Sequence, residues 1–368
     1  MDSPYRRELE VALRVVEQAA RLSQAVLPDT DKGAIEKDDN LGPVTIGDFA
    51  IQALLTTSLH AAFPEDVFVG EEDASALRAD AVLCDRVWTT LCRTVDTSSS
   101  PDCILPASPA EMCEAIDRCK NAPGPGRVWV FDPIDGTKTF LRREMYAINV
   151  ALLVDGQQTV SVVACPLLCP DEGGNDKTFL TNDSLDPTGR GSLLFAVKGH
   201  GAYVRPLFEG KGLGIATDAA PRRLLPAVAS QLLRPVTCFH LQESALDDVH
   251  RSIAQRLNIA FPGNDLLGWV PRWALLATGH ANMTVWVYRR RDRHAKIWDH
   301  AGAMLLFAET GGVVTDVDGR PIDLLAGRSL TRNFGFVAAP TAESHALVLQ
   351  AVREVLRAQD RLDLLGAN

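Results

Sequence analysis

Long apolar runs and an excess of basic residues are both missing from this 368-residue chain. No stretch reaches the roughly 18 uninterrupted apolar residues of a membrane-spanning helix, and charges interrupt the first residues, where a secretory signal is apolar. Lys and Arg total 37 against 47 Asp and Glu, a net charge of -10. This balance disfavours binding to nucleic-acid polymers or membrane surfaces. We therefore expect a cytoplasmic protein with neither kind of partner.

Cysteine is present, but not in a metal-binding or disulfide pattern. The eight cysteines include no C-x-x-C pair, which is the spacing typical of zinc and redox sites. Disulfide scaffolds belong to small secreted chains, which this one does not resemble. We expect reduced and mostly structural thiols.

The length and the apolar content, 46%, allow about two domains of roughly 150 residues with sizeable cores. We assign residues 1–210 to an N-terminal α+β domain with most of the candidate metal ligands. An insertion at about 74–127 lies within it, and the pattern does not indicate its fold. Alternating strand and helix patterns predict an α/β domain over 211–368.

Apolar residues at helical spacing predict a first helix over about 5–27 and a second one from an N-cap near Asp48 to Pro64. The segments VFVGEED and WVFDPIDG each indicate a strand that ends on carboxylates. Further strand pairs are expected around Asp155 and around Gly199 to Gly201. A closing helix is expected near the C-terminus.

The segment WVFDPIDGTKTF, residues 129–140, concentrates the chemistry. Pro133 restricts the preceding residue to extended geometry, so Asp132 and Asp135 cannot share a helix face and should project from a turn toward one small volume. Clustered carboxylates are costly unless a cation or a proton shares them. Carboxylate oxygens and a carbonyl such as that of Ile134 are ligands that Mg²⁺ prefers.

Gly136 lets the chain turn into a helix, whose first N–H groups near Thr137 and Lys138 favour an anion. A divalent cation beside such a helix start makes a phosphate site. By itself, a D-P-x-D turn is more often an Asx-turn that satisfies backbone donors. The metal site is favoured here because further acids follow strands or begin helices: Asp48, Glu71, Glu72 and Asp299.

Four motifs in order, VTIGD, VGEED, DPIDGT and WDHAG with ETGG, resemble those of the inositol monophosphatase superfamily of lithium-sensitive, Mg²⁺-dependent phosphatases. The resemblance covers about residues 40–319 and implies a mixed α/β (α+β) class with the layered αβαβα sugar-phosphatase fold. Within the superfamily, EKDDNLGPVTIGDFA, the Lys after DGT and KIWDHAG are most similar to the 3′(2′),5′-bisphosphate nucleotidases, which act on adenosine 3′,5′-bisphosphate. The implied partner is a small phosphorylated metabolite, and the implied assembly is a monomer or a homodimer.

The resemblance also implies a role for each matching residue. It implies two to three Mg²⁺ ions, with Mn²⁺ as a substitute and Li⁺ as an inhibitor. The implied metal ligands are Glu71, Asp132 as the bridge, the carbonyl of Ile134, Asp135 and Asp299. Asp48 and Thr137 are implied to activate the attacking water. The implied substrate ligands are Gly136, Thr137, Lys138, Arg272 and Lys296.

Two segments depart from the nucleotidase pattern and leave the substrate open. A histidine-containing stretch that grips the nucleotide is expected around Gln242–Asp248, where this chain has LQESALDDV. A Ser-x-x-Lys that contacts the second phosphate aligns with Trp269–Arg272, so that an arginine stands for the lysine and a bulky indole for the serine. Inositol polyphosphates and a specialised phosphorylated metabolite are alternative substrates. A degenerate phosphatase that only binds ligands is a non-enzymatic alternative, although none of the implied acids is missing.

Other residues near Asp299 have more ordinary interpretations. His294 and His300 are typical of helix-end or surface histidines. The basic run Arg289–Arg293, extended to Lys296, favours a solvated loop, although it also could bring a cation to a substrate anion. Trp298 is expected to pack beneath the metal loop. The candidates for stacking on a base are Trp269 and Trp273.

Overall fold

The computed structural model describes residues 3–37, 42–95, 101–171, 179–226, 232–239 and 246–366. The helices are α1 (Arg6–Val26), α2 (Ile46–Ala62), α3 (Ser75–Ala79), α4 (Ala81–Thr94), α5 (Pro109–Asp117), α6 (Thr137–Leu141), α7 (Asp247–Leu257), α8 (Trp269–Thr278), α9 (Ala303–Glu309) and α10 (Ala342–Ala358). The strands are β1 (Ile35–Glu36), β2 (Pro43–Val44), β3 (Val67–Gly70), β4 (Arg127–Asp135), β5 (Ala147–Val154), β6 (Gln157–Cys165), β7 (Ser192–Val197), β8 (Gly201–Pro206), β9 (Arg222–Arg223), β10 (Val236–Thr237), β11 (Asn264–Asp265), β12 (Thr284–Trp286), β13 (Val313–Thr315) and β14 (Phe336–Ala339). Single 3₁₀ turns span Ile297–Asp299 and Leu362–Leu364.

The secondary structure packs in five layers. A seven-stranded sheet runs in chain order from β3 to β9, and a second sheet has the order β12-β14-β13. Helices α1 and α2 cover one face of the large sheet, α8 and α9 fill the space between the two sheets, and α10 with α7 covers the small sheet. This order confirms the predicted αβαβα arrangement. The domain boundary at residue 210 stays a prediction.

Both faces of the large sheet are buried, because side chains alternate between two hydrophobic cores. On β5, Ile148, Val150 and Leu152 belong to the core under α1 and α2, whereas Ala147 and Ala151 belong to the core shared with α8 and α9. Strands buried on both faces are apolar at nearly every position rather than at every second one. This explains why seven of the eight residues of AINVALLV are apolar, with Asn149 as the exception.

Most predicted elements are confirmed, including the first helix, both hairpins and the closing helix. The N-cap of α2 differs from the prediction. Thr45 is the cap and Asp48 is the third helical residue, since the Thr45 side chain accepts the amides of Gly47 and Asp48 while the Asp48 carboxylate accepts the Thr45 amide. The predicted insertion forms α3, α4 and α5, of which α4 and α5 pack against α2; residues 96–100 lie outside the described residues. All eight cysteines lie within the described residues, and none of them forms a disulfide there.

Within the described residues, no helix combines the length and the apolar character that crossing a membrane requires.

A buried histidine on α7 makes stability sensitive to acid. His250 Nε2 accepts a hydrogen bond of 2.8 Å from the Val287 amide, so the neutral ring is the form that fits. Burial, and then the charge of Arg272, lowers the pKa of His250 to about 4, against about 6.5 in the unfolded chain. The unfolded state therefore binds more protons between these values, and stability falls as pH decreases from about 6.5.

We expect the His250→Gln variant to lose part of this acid sensitivity. Between pH 7.5 and 5, His250 alone should cost the wild type roughly 2 kcal/mol of unfolding free energy. Urea unfolding at both pH values measures the difference. The variant should show a smaller decrease than the wild type, and equal decreases would contradict the assignment.

Candidate active site

Parallel pairing of β3 and β4 brings the first two acids together. The register places Gly70 opposite Phe131, so the next residues along the two strands are Glu71 and Asp132. The carboxyl ends of parallel strands meet at one edge of a sheet. The two strand ends that the sequence marked as acidic are therefore neighbours.

A β-bulge in β4 aims Asp132 and Asp135 at the same volume. Asp132 pairs with Asn149 and Asp135 with Ala147, so Pro133 and Ile134 together oppose a single residue of β5. Residues three apart on a regular strand point to opposite faces, and one extra residue restores a common face. The prediction that the acids project from a turn was thus wrong in detail, because both belong to the last part of β4.

Asp299 arrives from the other side of the cleft on the 3₁₀ turn Ile297–Asp299. The Asn149 side chain donates to the Trp298 carbonyl at 2.5 Å, which ties this turn to the strand residue that pairs with Asp132. One carboxylate oxygen each of Asp132, Asp135 and Asp299 lies within 4.8 Å of the others. Asn149 was missed from the sequence, since its apolar strand gives no sign of a site.

Asp135 also holds the start of α8. Its Oδ2 accepts the Val270 amide at 2.6 Å, and a Cβ at Gly268 would lie 2.6 Å from the same oxygen. Glycine at position 268 is therefore required for this close approach. The alternative to a metal site was an Asx-turn, in which the acids accept from backbone donors. Asp135 does accept a backbone amide, but that amide belongs to the start of α8, 135 residues further along the chain.

Gly136 begins α6 with φ of 87°, the left-handed region where glycine is unstrained. Here too a Cβ would collide, 2.6 Å from Thr139 Oγ1. Thr137 Oγ1 donates to the Ile134 carbonyl at 3.1 Å. The three residues after Asp135 line the same cleft as the acids, and anion binding by their amides stays a prediction.

The grouped carboxyls resist ionisation together. Burial, and then the charge of Glu71, raises the pKa of Asp132 well above its usual range. Burial is also the main cause that raises the pKa of Asp299 and brings that of Asp135 to about 7. The charges of neighbouring acids also raise the pKa values of Asp132 and Asp299.

Lys37 is a site residue that the sequence analysis did not identify. Its Nζ donates to Glu71 Oε1 and to Glu72 Oε1, both at 2.6 Å. Gln52 on α2 holds the same corner, since its side chain pairs with the amide and the carbonyl of Glu72. Glu71 is therefore positioned by a fixed backbone, whereas Glu72 is buried behind it.

Asp48 is fully buried, and its charge acts on Asp132. Its Oδ2 accepts hydrogen bonds from the Thr45 amide at 2.8 Å and the Thr45 hydroxyl at 2.6 Å. Its Oδ1 has no partner among the described residues. Burial raises the pKa of Asp48 to about 7. A buried carboxylate with a free oxygen and a pKa near neutrality is suited to proton transfer.

The acids lie in a cleft of about 210 Å³ that basic side chains also line. The acidic lining residues are Glu71, Asp132, Asp135 and Asp299. The basic ones are Lys138, Arg272, Arg293 and Lys296. Lys138 and Arg293 are exposed, and Lys296 is half-buried with its Nζ 3.2 Å from Ser329 Oγ. The cleft therefore combines an acidic part that suits metal cations with exposed basic side chains that suit an anionic group of a ligand.

Arg272 is a wall of the cleft and not a free side chain. It is 1% exposed, and its Nε and Nη2 donate to the carbonyls of Leu266 and Leu267 at 2.8 and 2.7 Å. Its guanidinium lies 4.2 Å from the ring of Trp269 and 4.6 Å from that of Trp286. Only Nη1 has no partner among the described residues, so direct binding of a phosphate by Arg272 stays a prediction.

The aromatic candidates are packed, although Trp269 also lines the cleft. Trp273 is fully buried, and Trp269 stacks against it with ring centroids 6.1 Å apart. Trp298 is buried as predicted. His300 is a core residue and not a surface one, since it accepts from Trp273 Nε1 at 3.1 Å and stacks on Phe336 at 4.2 Å. We find no support here for base stacking on Trp273.

The remaining departures concern the segment around Gln242–Asp248, of which residues 241–245 lie outside the described residues. Of the predicted basic run, Arg290 pairs with Asp292 and Arg291 with Asp318. Arg293 and the half-exposed His294 line the cleft. The run is thus partly a paired surface loop and partly cleft wall.

The donor set fits a hard divalent cation. Asp132 Oδ1 is buried without a partner among the described residues, and three carboxylates from two distant parts of the chain converge within 4.8 Å. Such an arrangement is unfavourable alone, and oxygen ligands of this kind suit Mg²⁺.

Comparison with known proteins agrees with the geometry. A family model described as the inositol monophosphatase family matches residues 6–357. A 3′(2′),5′-bisphosphate nucleotidase of Emericella nidulans is 36% identical over 359 residues, which cover 96% of this chain and 99% of that protein. A protein of the same name from Schizosaccharomyces pombe is 34% identical over 339 residues, 90% and 91% of the two chains. The solved structure of a Thermotoga maritima IMPase has a TM-score of 0.60 at 17% identity, with 96% and 99% coverage. As the sequence motifs predicted, the chain belongs to the metal-dependent inositol monophosphatase family and has its fold.

Proposed function

We propose that this chain is a Mg²⁺-dependent phosphomonoester hydrolase that removes the 3′-phosphate from adenosine 3′,5′-bisphosphate. The observation that carries the proposal is the convergence of Asp132, Asp135 and Asp299 within 4.8 Å. They lie in a cleft that exposed basic side chains also line. The names of the relatives from Emericella nidulans and Schizosaccharomyces pombe support the choice of substrate.

The proposed metal ligands are Glu71, Asp132, the carbonyl of Ile134, Asp135 and Asp299. Two to three bound Mg²⁺ ions, or Mn²⁺ in their place, would neutralise phosphate charge and acidify water. We assign Asp48 to accept the proton of the attacking water, with Thr137 to orient that water. The carboxylate of Asp48 is suited to this role because it is buried and keeps one oxygen without a partner among the described residues.

The amides of Gly136 and Thr137 are proposed to hold the scissile phosphate, since Gly136 turns the chain toward the acids. Lys138 and Lys296 are proposed to face the second phosphate, with Arg272 adding its buried charge. The flexible side chains of two lysines can follow an anion whose position varies. The fixed guanidinium of Arg272 would instead contribute a positive potential without direct contact. We further propose a cytoplasmic enzyme, monomeric or homodimeric, that is inhibited by Li⁺.

A phosphate-release panel tests the substrate. With Mg²⁺ present, the purified chain is given adenosine 3′,5′-bisphosphate, its 5′-phosphosulfate analogue, inositol 1,4-bisphosphate and inositol 1-phosphate. We expect fastest release from the nucleotide, with adenosine 5′-monophosphate as the other product, and loss of release when the metal is chelated. Release from an inositol phosphate but not from the nucleotides would reject the substrate assignment. No release from any of the four would reject both the nucleotide and the inositol phosphate hypotheses.

A further inference from the structure

Arg328 joins the two halves of the acid cluster from outside the cleft. Its main chain pairs with the segment that leads to Asp299: the Ile297 amide donates to the Arg328 carbonyl at 3.0 Å, and the Leu330 amide donates to the Ala295 carbonyl at 2.9 Å. The backbone around Arg328 is therefore hydrogen-bonded directly to the backbone that leads to Asp299.

The side chain of Arg328 reaches the other half of the cluster. Nη2 donates to the Gly70 carbonyl at 2.7 Å, with Glu71 O a further 3.4 Å contact. Nη1 donates to the Cys119 carbonyl at 2.8 Å. Gly70 is the last residue of β3 and directly precedes Glu71, and the Cys119 carbonyl also accepts the Gly70 amide. The guanidinium of Arg328 is therefore held next to the backbone of Glu71.

Trp298 completes the connection. The guanidinium of Arg328 lies 4.8 Å from the Trp298 ring centroid, and this indole directly precedes Asp299. A planar guanidinium can donate along its edges and stack with its face at the same time, which an ammonium group cannot do. Arg328 thus fixes the end of β3 against the turn that carries Asp299.

We propose that Arg328 is a positioning residue that sets the placement of Glu71 relative to Asp299 and thereby tunes the affinity for divalent cations. The inference rests on the proposed function, in which both acids hold Mg²⁺. Residues that orient metal ligands typically change metal affinity about 10- to 100-fold when removed. The matched control is Arg332, which is exposed and pairs with Asp323 away from the cleft.

The experiment measures Mn²⁺ binding by electron paramagnetic resonance and the Mg²⁺ concentration for half-maximal phosphate release. The variants are Arg328→Ala, Arg328→Lys and the control Arg332→Ala. We expect Arg328→Ala and Arg328→Lys each to weaken Mn²⁺ binding and raise the half-maximal Mg²⁺ concentration about tenfold or more, while Arg332→Ala remains like the wild type. Added guanidinium ion at low millimolar concentration should restore binding to Arg328→Ala but not to Arg328→Lys.

A purely structural role predicts a different result. In that case the variants would unfold at lower temperature, yet the folded fraction would bind Mn²⁺ within twofold of the wild type, and the proposal would be rejected. If Arg328→Ala does not fold, the Lys variant decides, because it keeps the charge and loses the fork of donors. Failure of the wild type itself to bind Mn²⁺ would instead reject the proposed function.

Discussion

The Asp132→Asn variant is expected to lose at least about 10³-fold in kcat/KM for adenosine 3′,5′-bisphosphate, or roughly 4 kcal/mol of transition-state stabilisation. The Asp132 carboxylate converges with those of Asp135 and Asp299, and the charges of Glu71 and Asp48 act on it as well. Asparagine has nearly the same shape but lacks the charge and one of the two ligand oxygens. Steady-state phosphate release at saturating Mg²⁺ measures the loss.

Thermal unfolding with and without Mg²⁺ separates loss of metal binding from loss of fold. The wild type should unfold at a higher temperature when Mg²⁺ is added, because a ligand that binds only the folded state stabilises it. Asp132→Asn should show no such increase. Without metal it should be more stable than the wild type, since asparagine requires neither the buried charge nor the proton uptake on folding that the raised pKa of Asp132 implies. The control Asp155→Asn changes a turn carboxylate between β5 and β6, and it should behave like the wild type. Near-normal turnover by Asp132→Asn would contradict the metal-site assignment.

The motifs and the family resemblance predicted the convergence of Asp132, Asp135 and Asp299 that the structure shows, whereas the metal-binding role of Glu71 stays a prediction. The sequence did not predict how Asp132 and Asp135 come to point the same way. Pro133 suggested a turn, whereas the structure keeps the strand and inserts one extra residue. A bulge depends on the register with β5, which the local sequence of β4 does not contain.

Long-range contacts account for the other differences. Lys37, Asn149 and Arg328 act on the site through partners that are 34 to 258 residues away, and no periodicity or short motif reports such pairs. Arg272 shows the opposite effect of tertiary contacts. Its position in the sequence suggested a side chain available to bind phosphate, but the fold surrounds it with two indoles and two carbonyls. Tertiary packing decided whether each of these side chains is available.

The Asp48→Asn variant should separate proton transfer from metal binding. Asp48 is not among the carboxylates that converge within 4.8 Å, so the increase in unfolding temperature on adding Mg²⁺ should persist. Turnover should nevertheless decrease about 10²- to 10⁴-fold, the usual contribution of a general base. Stability should not decrease by more than about 1 kcal/mol, because the amide oxygen can still accept the Thr45 amide and preserve the helix cap.

A second capping box in the same chain supplies the matched control. Thr341 and Ser344 at the start of α10 repeat the arrangement of Thr45 and Asp48. Ser344→Ala removes the acceptor for the Thr341 amide, so it should cost roughly 1 kcal/mol of stability and leave turnover unchanged. If both variants lowered turnover only in proportion to the unfolded fraction, Asp48 would be a helix cap alone. A selective loss in Asp48→Asn, with Mg²⁺ binding retained, assigns the buried oxygen of Asp48 to the chemical step, since capping and metal binding are then both accounted for.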